Sequence, residues 1–218
     1  MPATQPLVIA VDGPAASGKG TIARALARHF DLPHLDTGTL YRAVALHLLR
    51  WGGDPESEFA ALRACDEIGS LLDDPELRSE AVGGIASRIS AYPMVRSALL
   101  QRQREFAAQP GGAVLDGRDI GTVIAPHASA KLFVTASAEA RAQRRLAELQ
   151  ERGLKAHLED VLIDIRARDE RDSHRSTAPL AQAADALLLD TSNLDRDAAI
   201  REAIRLVQQK TGTESQPA

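Results

Sequence analysis

Short runs of apolar residues alternate along the chain with longer segments in which apolar positions recur every three or four residues. The run Leu7-Val-Ile-Ala-Val11 is continuous and rich in β-branched residues, which is typical of a strand buried on both faces of a parallel sheet. Further strands are predicted at residues 34–36, 113–115, 131–135 and 186–189. Strands that alternate with helices indicate an α/β fold, a doubly wound parallel sheet with helices on both faces.

The segments with helical spacing predict eight helices. They span residues 19–30, 39–51, 57–72, 76–90, 94–108, 138–151, 156–172 and 196–209. Gly52-Gly53 is expected to end the second helix, and Asp-Asp-Pro and Tyr-Pro to separate the three middle ones. Residues 57–108 are therefore predicted to be helical, and the polar tail at 211–218 is predicted to be disordered.

Length and charge narrow the class of protein. A chain of 218 residues suits one domain, 1–218, with small appendages. The net charge of −4 favours neither nucleic acid nor an anionic membrane as a partner. Cys65 is the single cysteine, and the first apolar run is too short for a signal peptide or a membrane span. These features predict a cytoplasmic protein with a small-molecule partner.

The strongest chemical signal lies between the first predicted strand and helix. It is a glycine-rich segment with P-loop spacing: Gly13, Pro14, Ala15, Ala16, Ser17, Gly18, Lys19, Gly20 and Thr21. Its backbone N–H groups would converge on ATP phosphates, and Lys19 would reach the β- and γ-phosphates. Gly20 stands where many P-loops carry the hydroxyl that binds Mg²⁺, so Thr21 would have to serve or the metal would bind largely through water.

Two further motifs follow predicted strands, at the edge where open α/β sheets bind ligands. In Leu35-Asp-Thr-Gly-Thr-Leu-Tyr-Arg42, three side chains are expected to face the crevice: Thr37, Tyr41 and Arg42. The alternative is a plain helix cap. In Val114-Leu-Asp-Gly-Arg-Asp119, Asp116 could order Mg²⁺-bound water and Arg118 could grip a phosphate with two hydrogen bonds. The alternative there is a surface turn.

Arginines cluster in the last third of the chain. Arg168, either Arg171 or Asp172, and Arg175 fall on one helical face, and upstream Arg141, Arg144 and Arg145 share another. Arginines over a P-loop would neutralise the charge on a transferred phosphoryl group. Because arginine outnumbers lysine 22 to 4, an exposed helix with surface ion pairs is an equally good explanation of the pattern alone.

These four motifs, in this order, resemble the bacterial cytidylate kinase family over Val8 to about Gln209. The resemblance implies a kinase that phosphorylates CMP and dCMP with ATP and Mg²⁺. It implies that Ser87, Arg96 and Asp119 hydrogen-bond the cytosine and that Arg42, Arg118 and Arg175 hold the acceptor phosphate. It also implies that Asp172 meets the ribose and that Arg168 bridges the phosphates, with Lys19, Arg118 and Arg168 as the catalytic residues.

The same resemblance implies a nucleoside monophosphate-binding subdomain at about 37–108 and a mobile lid at about 141–175. The stretch between Trp51 and Ser87 is shorter than in longer members, which insert a small antiparallel sheet there, so a reduced, helical subdomain is expected. We expect a monomer.

Two other functions use the same P-loop. A shikimate kinase-like enzyme would transfer phosphate to a hydroxyl group, with Asp36 as the candidate base. A phosphate acceptor needs no base, because its second pKa is about 6. A nucleotide switch would bind ATP with little turnover, and would need no arginines for a second phosphate.

Overall fold

A computed structural model describes residues 6–213. It contains five strands, β1 (Leu7–Asp12), β2 (His34–Asp36), β3 (Gly112–Gly117), β4 (Ala130–Thr135) and β5 (Leu187–Asp190). The helices are α1 (Lys19–His29), α2 (Thr37–Trp51), α3 (Glu58–Arg63), α4 (Glu80–Ile89), α5 (Pro93–Ala107), α6 (Ala138–Glu151), α7 (Leu158–His174) and α8 (Arg196–Thr211).

The five strands form one parallel sheet in the order β2-β3-β1-β4-β5. Successive side chains of β1 point to opposite faces: Ile9 and Val11 pack with α1 and α8, whereas Ala10 packs with α5 and the turn after β3. Helices therefore cover both faces of the sheet. The predicted α/β fold class, a doubly wound parallel sheet, is confirmed.

Two smaller cores lie beside the sheet. Helices α2 to α5 pack around residues such as Leu40, Val44, Ile68 and Ile89, all almost fully buried. Helices α6 and α7 share the small core of Ala142, Leu149, Val161 and Ile165. Within the described chain, residues 37–111 contain helices and 3₁₀ turns but no strand. The boundaries of the monophosphate-binding subdomain and of the lid stay predictions.

Two predicted helices are wrong in their extent. The helix expected over 57–72 ends at Arg63: the amide of Cys65 donates to the Leu62 carbonyl, a tighter spacing than that of an α-helix, and a 3₁₀ turn follows at Gly69–Leu71. The helix expected over 76–90 is divided at Ser79, whose backbone is extended and whose hydroxyl caps α4 by accepting from the Val82 amide. Local capping there overrides the apolar periodicity.

The chain terminus also differs from expectation in part. Thr211, predicted as the first residue of a disordered tail, is the last residue of α8, and its hydroxyl donates to the Val207 carbonyl. Gly212, in the left-handed conformation, ends the helix. Residues 214–218 of that predicted tail lie outside the described residues. Gly52 ends α2 in the same way, as predicted.

Candidate active site

The glycine-rich segment curls around the amino end of α1. Packing requires Gly13, because a Cβ atom there would lie 2.0 Å from the Val134 carbonyl oxygen. Gly18 has a φ of 88°, in the left-handed region, and caps α1, so that Lys19 is the first helical residue. The first N–H groups of a helix have no partner within it and attract anions. The loop therefore has the geometry of a phosphate cradle.

A pocket of about 510 Å³ opens above this loop, at the carboxyl ends of the strands. Its lining includes all predicted catalytic and acceptor residues: Lys19, Thr37, Tyr41, Arg42, Ser87, Arg96, Arg118, Asp119, Arg168, Asp172 and Arg175. Of the predicted ATP-binding loop, Ala15 to Thr21 line the pocket, whereas Gly13 and Pro14 form the turn that leads into it. The fold thus brings four distant motifs to one place.

Lys19 is surrounded by the pocket walls. This burial lowers the pKa of its ammonium group to about 8, and the nearby positive charge of Arg118 acts in the same direction. The carboxylates of Asp116, Asp36 and Asp172 oppose the shift without cancelling it. The negative charge of a bound polyphosphate would stabilise the protonated, positively charged form of Lys19.

Asp116 lies at the end of β3, beside the P-loop strand. Its Oδ1 is 2.7 Å from Nε2 of His34, and its backbone carbonyl accepts from the Thr37 hydroxyl at 2.9 Å. Its Oδ2 is 3.7 Å from where a Cβ atom of Gly20 would stand. The carboxylate therefore reaches the P-loop, where it is predicted to order Mg²⁺-bound water.

Asp119 is buried in the wall opposite the P-loop. It pairs with Arg96 through a very short contact, and Arg175 donates to its Oδ1 at 3.4 Å. Burial raises the pKa of the Asp119 carboxyl, although both arginines act to lower it. Nearby, the Ser87 hydroxyl is buried without a hydrogen-bond partner among the described residues. A buried, unsatisfied hydroxyl that lines a pocket is suited to bind a ligand.

The remaining arginines crowd the pocket between the P-loop and Asp119. Arg118 donates from Nε to Asp172 at 2.7 Å, whereas Arg42 donates to the Leu77 carbonyl and Arg168 to the Gly83 carbonyl. Burial, followed by the charges of Arg118 and Arg42, lowers the pKa of Arg168 to about 10. Burial also lowers the pKa of Arg42. Because the charged forms of these guanidinium groups are disfavoured by burial and by one another, an anion that binds between them would stabilise them.

The arginines of α6 divide between two roles. Arg141 is buried, pairs with both carboxylate oxygens of Asp169 at 2.9 and 2.6 Å, and donates to the Ala15 carbonyl of the P-loop. Arg144 donates to the Thr191 hydroxyl at 3.0 Å. Only Arg145 of the three lines the pocket. Arg141 and Arg144 thus tie α6 to α7 and to the loop after β5, and neither forms the exposed surface ion pair of the alternative explanation.

Sequence reasoning missed several residues at the site. Arg24 and Glu80 also line the pocket, and Asp12 buries its carboxylate beside it. Arg24 has only helical periodicity in the sequence, and Glu80 stands in a segment without a motif. Asp12 directly precedes the P-loop, and this position was a signal that could have been used.

Within residues 6–213, no three His, Cys, Asp or Glu side chains are grouped so as to hold a metal ion. The site offers the Asp116 carboxylate and the Thr21 hydroxyl instead. This sparse set fits Mg²⁺, which keeps several waters and takes other ligands from nucleotide phosphates. None of the helices in this part of the chain is both long and apolar enough to cross a membrane.

Comparison with known proteins agrees with this geometry. The family model described as cytidylate kinase matches residues 9–209. A cytidylate kinase of Xanthobacter autotrophicus is 58% identical over 203 residues, which cover 93% of this chain and 97% of the relative. One of Rhodopseudomonas palustris strain TIE-1 is 55% identical, with 93% and 96% covered.

Among solved structures, an uncharacterized protein from Eubacterium ventriosum has the same fold, with a TM-score of 0.56 and 13% identity over 94% of this chain and 99% of that one. The fold similarity, the extent of the family match and the identity to these relatives agree with one another. The chain belongs to the cytidylate kinase family.

Proposed function

We propose that this protein transfers the γ-phosphoryl group of ATP to the phosphate of CMP or dCMP, which gives ADP and CDP or dCDP. One observation carries the proposal beyond family membership: a single pocket joins a P-loop to a group of buried arginines, and burial lowers the pKa values of Arg42, Arg168 and Arg175. Such a pocket suits two phosphate-bearing ligands that face each other.

On the ATP side, the N–H groups of the P-loop and the Lys19 ammonium group would bind the β- and γ-phosphates. Thr21 and Asp116 would hold Mg²⁺, in part through water. When bound, the metal would neutralise part of the charge on the ATP phosphates. Arg168, which stands near Arg118 and Arg42, would bridge the donor and acceptor phosphates. Positioning and charge neutralisation are almost all that this transfer requires.

On the acceptor side, Arg42, Arg118 and Arg175 are proposed to hold the phosphate of CMP. A phosphate monoester is mostly ionised near neutral pH, with a second pKa of about 6, so no general base is needed. Asp36, the candidate base for a hydroxyl acceptor, already uses its Oδ1 to cap α2 by accepting from the Gly38 amide at 2.9 Å. This contact favours the phosphate acceptor.

Selection of the base is proposed to reside in Asp119, Ser87 and Arg96. The cytosine amino group is a donor that a carboxylate accepts, and uracil has an oxygen there instead. Arg96 and Arg175 pair with Asp119, and Arg118 pairs with Asp172. Substrate binding would therefore exchange these pairs for contacts to the base, the ribose and the phosphate.

We further propose that residues 141–175 act as a lid, that residues 37–108 bind the monophosphate, and that the enzyme is a cytoplasmic monomer. Helices α6 and α7 support the lid, because their own small core packs them together while Arg168 and Asp172 face the pocket. The Arg141–Asp169 pair would keep the two helices together as they move.

The decisive experiment measures ADP release from Mg-ATP with CMP, dCMP, UMP, AMP and shikimate, each offered alone to the purified protein. We expect CMP and dCMP to be the best acceptors. Shikimate or AMP as the best acceptor would overturn the substrate assignment and leave the P-loop role intact. ATP binding without turnover on any acceptor would favour a nucleotide switch.

A further inference from the structure

Asp12 ends β1 and directly precedes the P-loop, and its side chain is only 5% exposed. Both of its carboxylate oxygens accept backbone hydrogen bonds from the segment after β3. Oδ1 accepts from the Ile120 amide at 2.8 Å, and Oδ2 accepts from the Gly121 amide at 2.7 Å. One side chain therefore joins the strand that leads into the P-loop to the residues that follow Asp119.

The segment that Asp12 holds is a single π-helical turn, Ile120–Ile124, with Asp119 as its first flanking residue. The first N–H groups of such a turn have no partner within it, so Asp12 caps the turn from a different strand. The fit is close, because a Cβ atom on Gly121 would lie 3.4 Å from Asp12 Oδ2 and 3.1 Å from Lys131 Cδ. A displacement of the Asp12 carboxylate would therefore also displace the turn.

Burial of this carboxylate removes it from water, which destabilises its charged form. Burial raises the pKa of Asp12 to about 6, although the Gly121 and Ile120 amides act to lower it. The negative charge of Asp119 also raises this pKa and the positive charge of Lys19 lowers it, and the Lys131 side chain lies against Gly121. A neutral amide would avoid the burial penalty but could not accept from both backbone N–H groups, so the two contacts require the carboxylate.

We infer that Asp12 is a positioning residue for base selection: it fixes the turn that carries Asp119 relative to the P-loop. The inference rests on the proposed function, in which Asp119 reads the cytosine. The consequence is that loss of the Asp12 contacts should impair the use of CMP and the rejection of UMP, while ATP binding through the P-loop backbone persists.

Asp12→Asn tests this directly. Its amide keeps one acceptor oxygen but presents an N–H group to the second backbone N–H. Because misplacement by about 1 Å can cost up to about 10²-fold, we expect kcat/KM for CMP to fall at least about tenfold. The preference for CMP over UMP should fall as well, while KM for ATP stays within about twofold. The melting temperature should fall only slightly, because removal of the buried charge offsets part of the cost of the lost hydrogen bond.

Asp185→Asn is the matched control. Asp185 is an exposed carboxylate that pairs with Lys131 on the far side of the same turn, and it makes no contact with the Ile120 or Gly121 amides. It should change none of these values. Equal losses for ATP and CMP in Asp12→Asn, or a much lower melting temperature, would overturn the inference by assigning Asp12 to the P-loop or to folding.

A second measurement is independent of substrate. The ¹⁵N-labelled protein should show the Ile120 and Gly121 amide resonances titrating together with a midpoint near the Asp12 pKa of about 6. That titration should vanish in Asp12→Asn and persist in Asp119→Asn. Ile120 and Gly121 resonances that do not change between the natural protein and Asp12→Asn would show that Asp12 does not hold the turn. Unchanged CMP/UMP selectivity in Asp119→Ala would instead refute the role of Asp119 in base selection, on which the inference rests.

Discussion

On its proposed ATP side the pocket is lined by one continuous segment, Ala15 to Thr21, whereas its proposed acceptor side is lined by residues from α2, α4, α5, α7 and the segment after β3. The cradle on the first side is formed by local geometry: Gly18 in the left-handed conformation and the free N–H groups of α1.

On the proposed acceptor side, buried arginines and aspartates form ion pairs with one another. Arg96 and Arg175 pair with Asp119, and Arg118 pairs with Asp172. These pairs satisfy buried charged groups, and in the proposed function CMP would compete for them. Substitutions on the ATP side should therefore affect the transfer itself, whereas those on the acceptor side should separate the two substrates.

The largest effect is expected from Lys19→Ala. It removes the charge that would follow the moving phosphoryl group while leaving the backbone cradle, so kcat should fall by about 10²- to 10³-fold or more with the fold retained. ADP release and circular dichroism would measure the two properties. Lys155→Ala, at an exposed lysine, is the control. Turnover within about tenfold of the natural protein would show that the P-loop assignment is wrong.

Arg175→Ala should raise KM for CMP by about 10- to 10²-fold, since a charge-assisted contact to phosphate is lost, while KM for ATP changes little. The structure makes this a sharp test, because Arg175 lies against Asp119 rather than against the P-loop. Arg175 directly follows α7, with an extended backbone rather than the predicted helical one, and Arg166→Ala, at an exposed position within that helix, is the control. Equal losses for both substrates would indicate a general defect of the lid.

Asp119→Ala should reduce the CMP-over-UMP preference by at least about tenfold, because it removes the acceptor for the cytosine amino group. The comparison of kcat/KM for the two nucleotides measures this. Thermal melting must be followed in parallel, since Arg96 loses its buried partner. Asp73→Ala, at an exposed carboxylate, provides the baseline. An unchanged preference would exclude Asp119 from base selection.

The smallest expected effect is the uptake of one proton by Lys19 when ATP binds. Lys19 has a pKa of about 8 in the ligand-free pocket, and bound phosphates favour its charged form and so raise that pKa. Above pH about 8 the free protein has largely lost this proton and regains it on binding, so ATP affinity should weaken as pH rises. Calorimetry in buffers of different ionisation enthalpy should detect proton uptake at pH about 9. Lys19→Arg, which does not titrate there, should abolish it.

The sequence determined the ATP side almost completely. The P-loop depends on neighbouring residues, Gly13 to Thr21, between an apolar run and an apolar periodicity, and each of these signals is local. The same holds for the five strands and for the glycine-ended helix α2, where backbone conformation follows directly from residue type. The helical middle was less predictable, because the cap at Ser79 competes with a periodicity that continues through it.

Only the tertiary structure decided which charged groups meet. Nothing local distinguishes Arg141, which joins α6 to Asp169, from Arg145, which lines the pocket one turn later. Asp12 likewise finds its partners more than a hundred positions away, at Ile120 and Gly121. Long charged side chains choose partners by proximity in space. A chain with 22 arginines contains many compatible pairings, and the packed sheet and helices select among them.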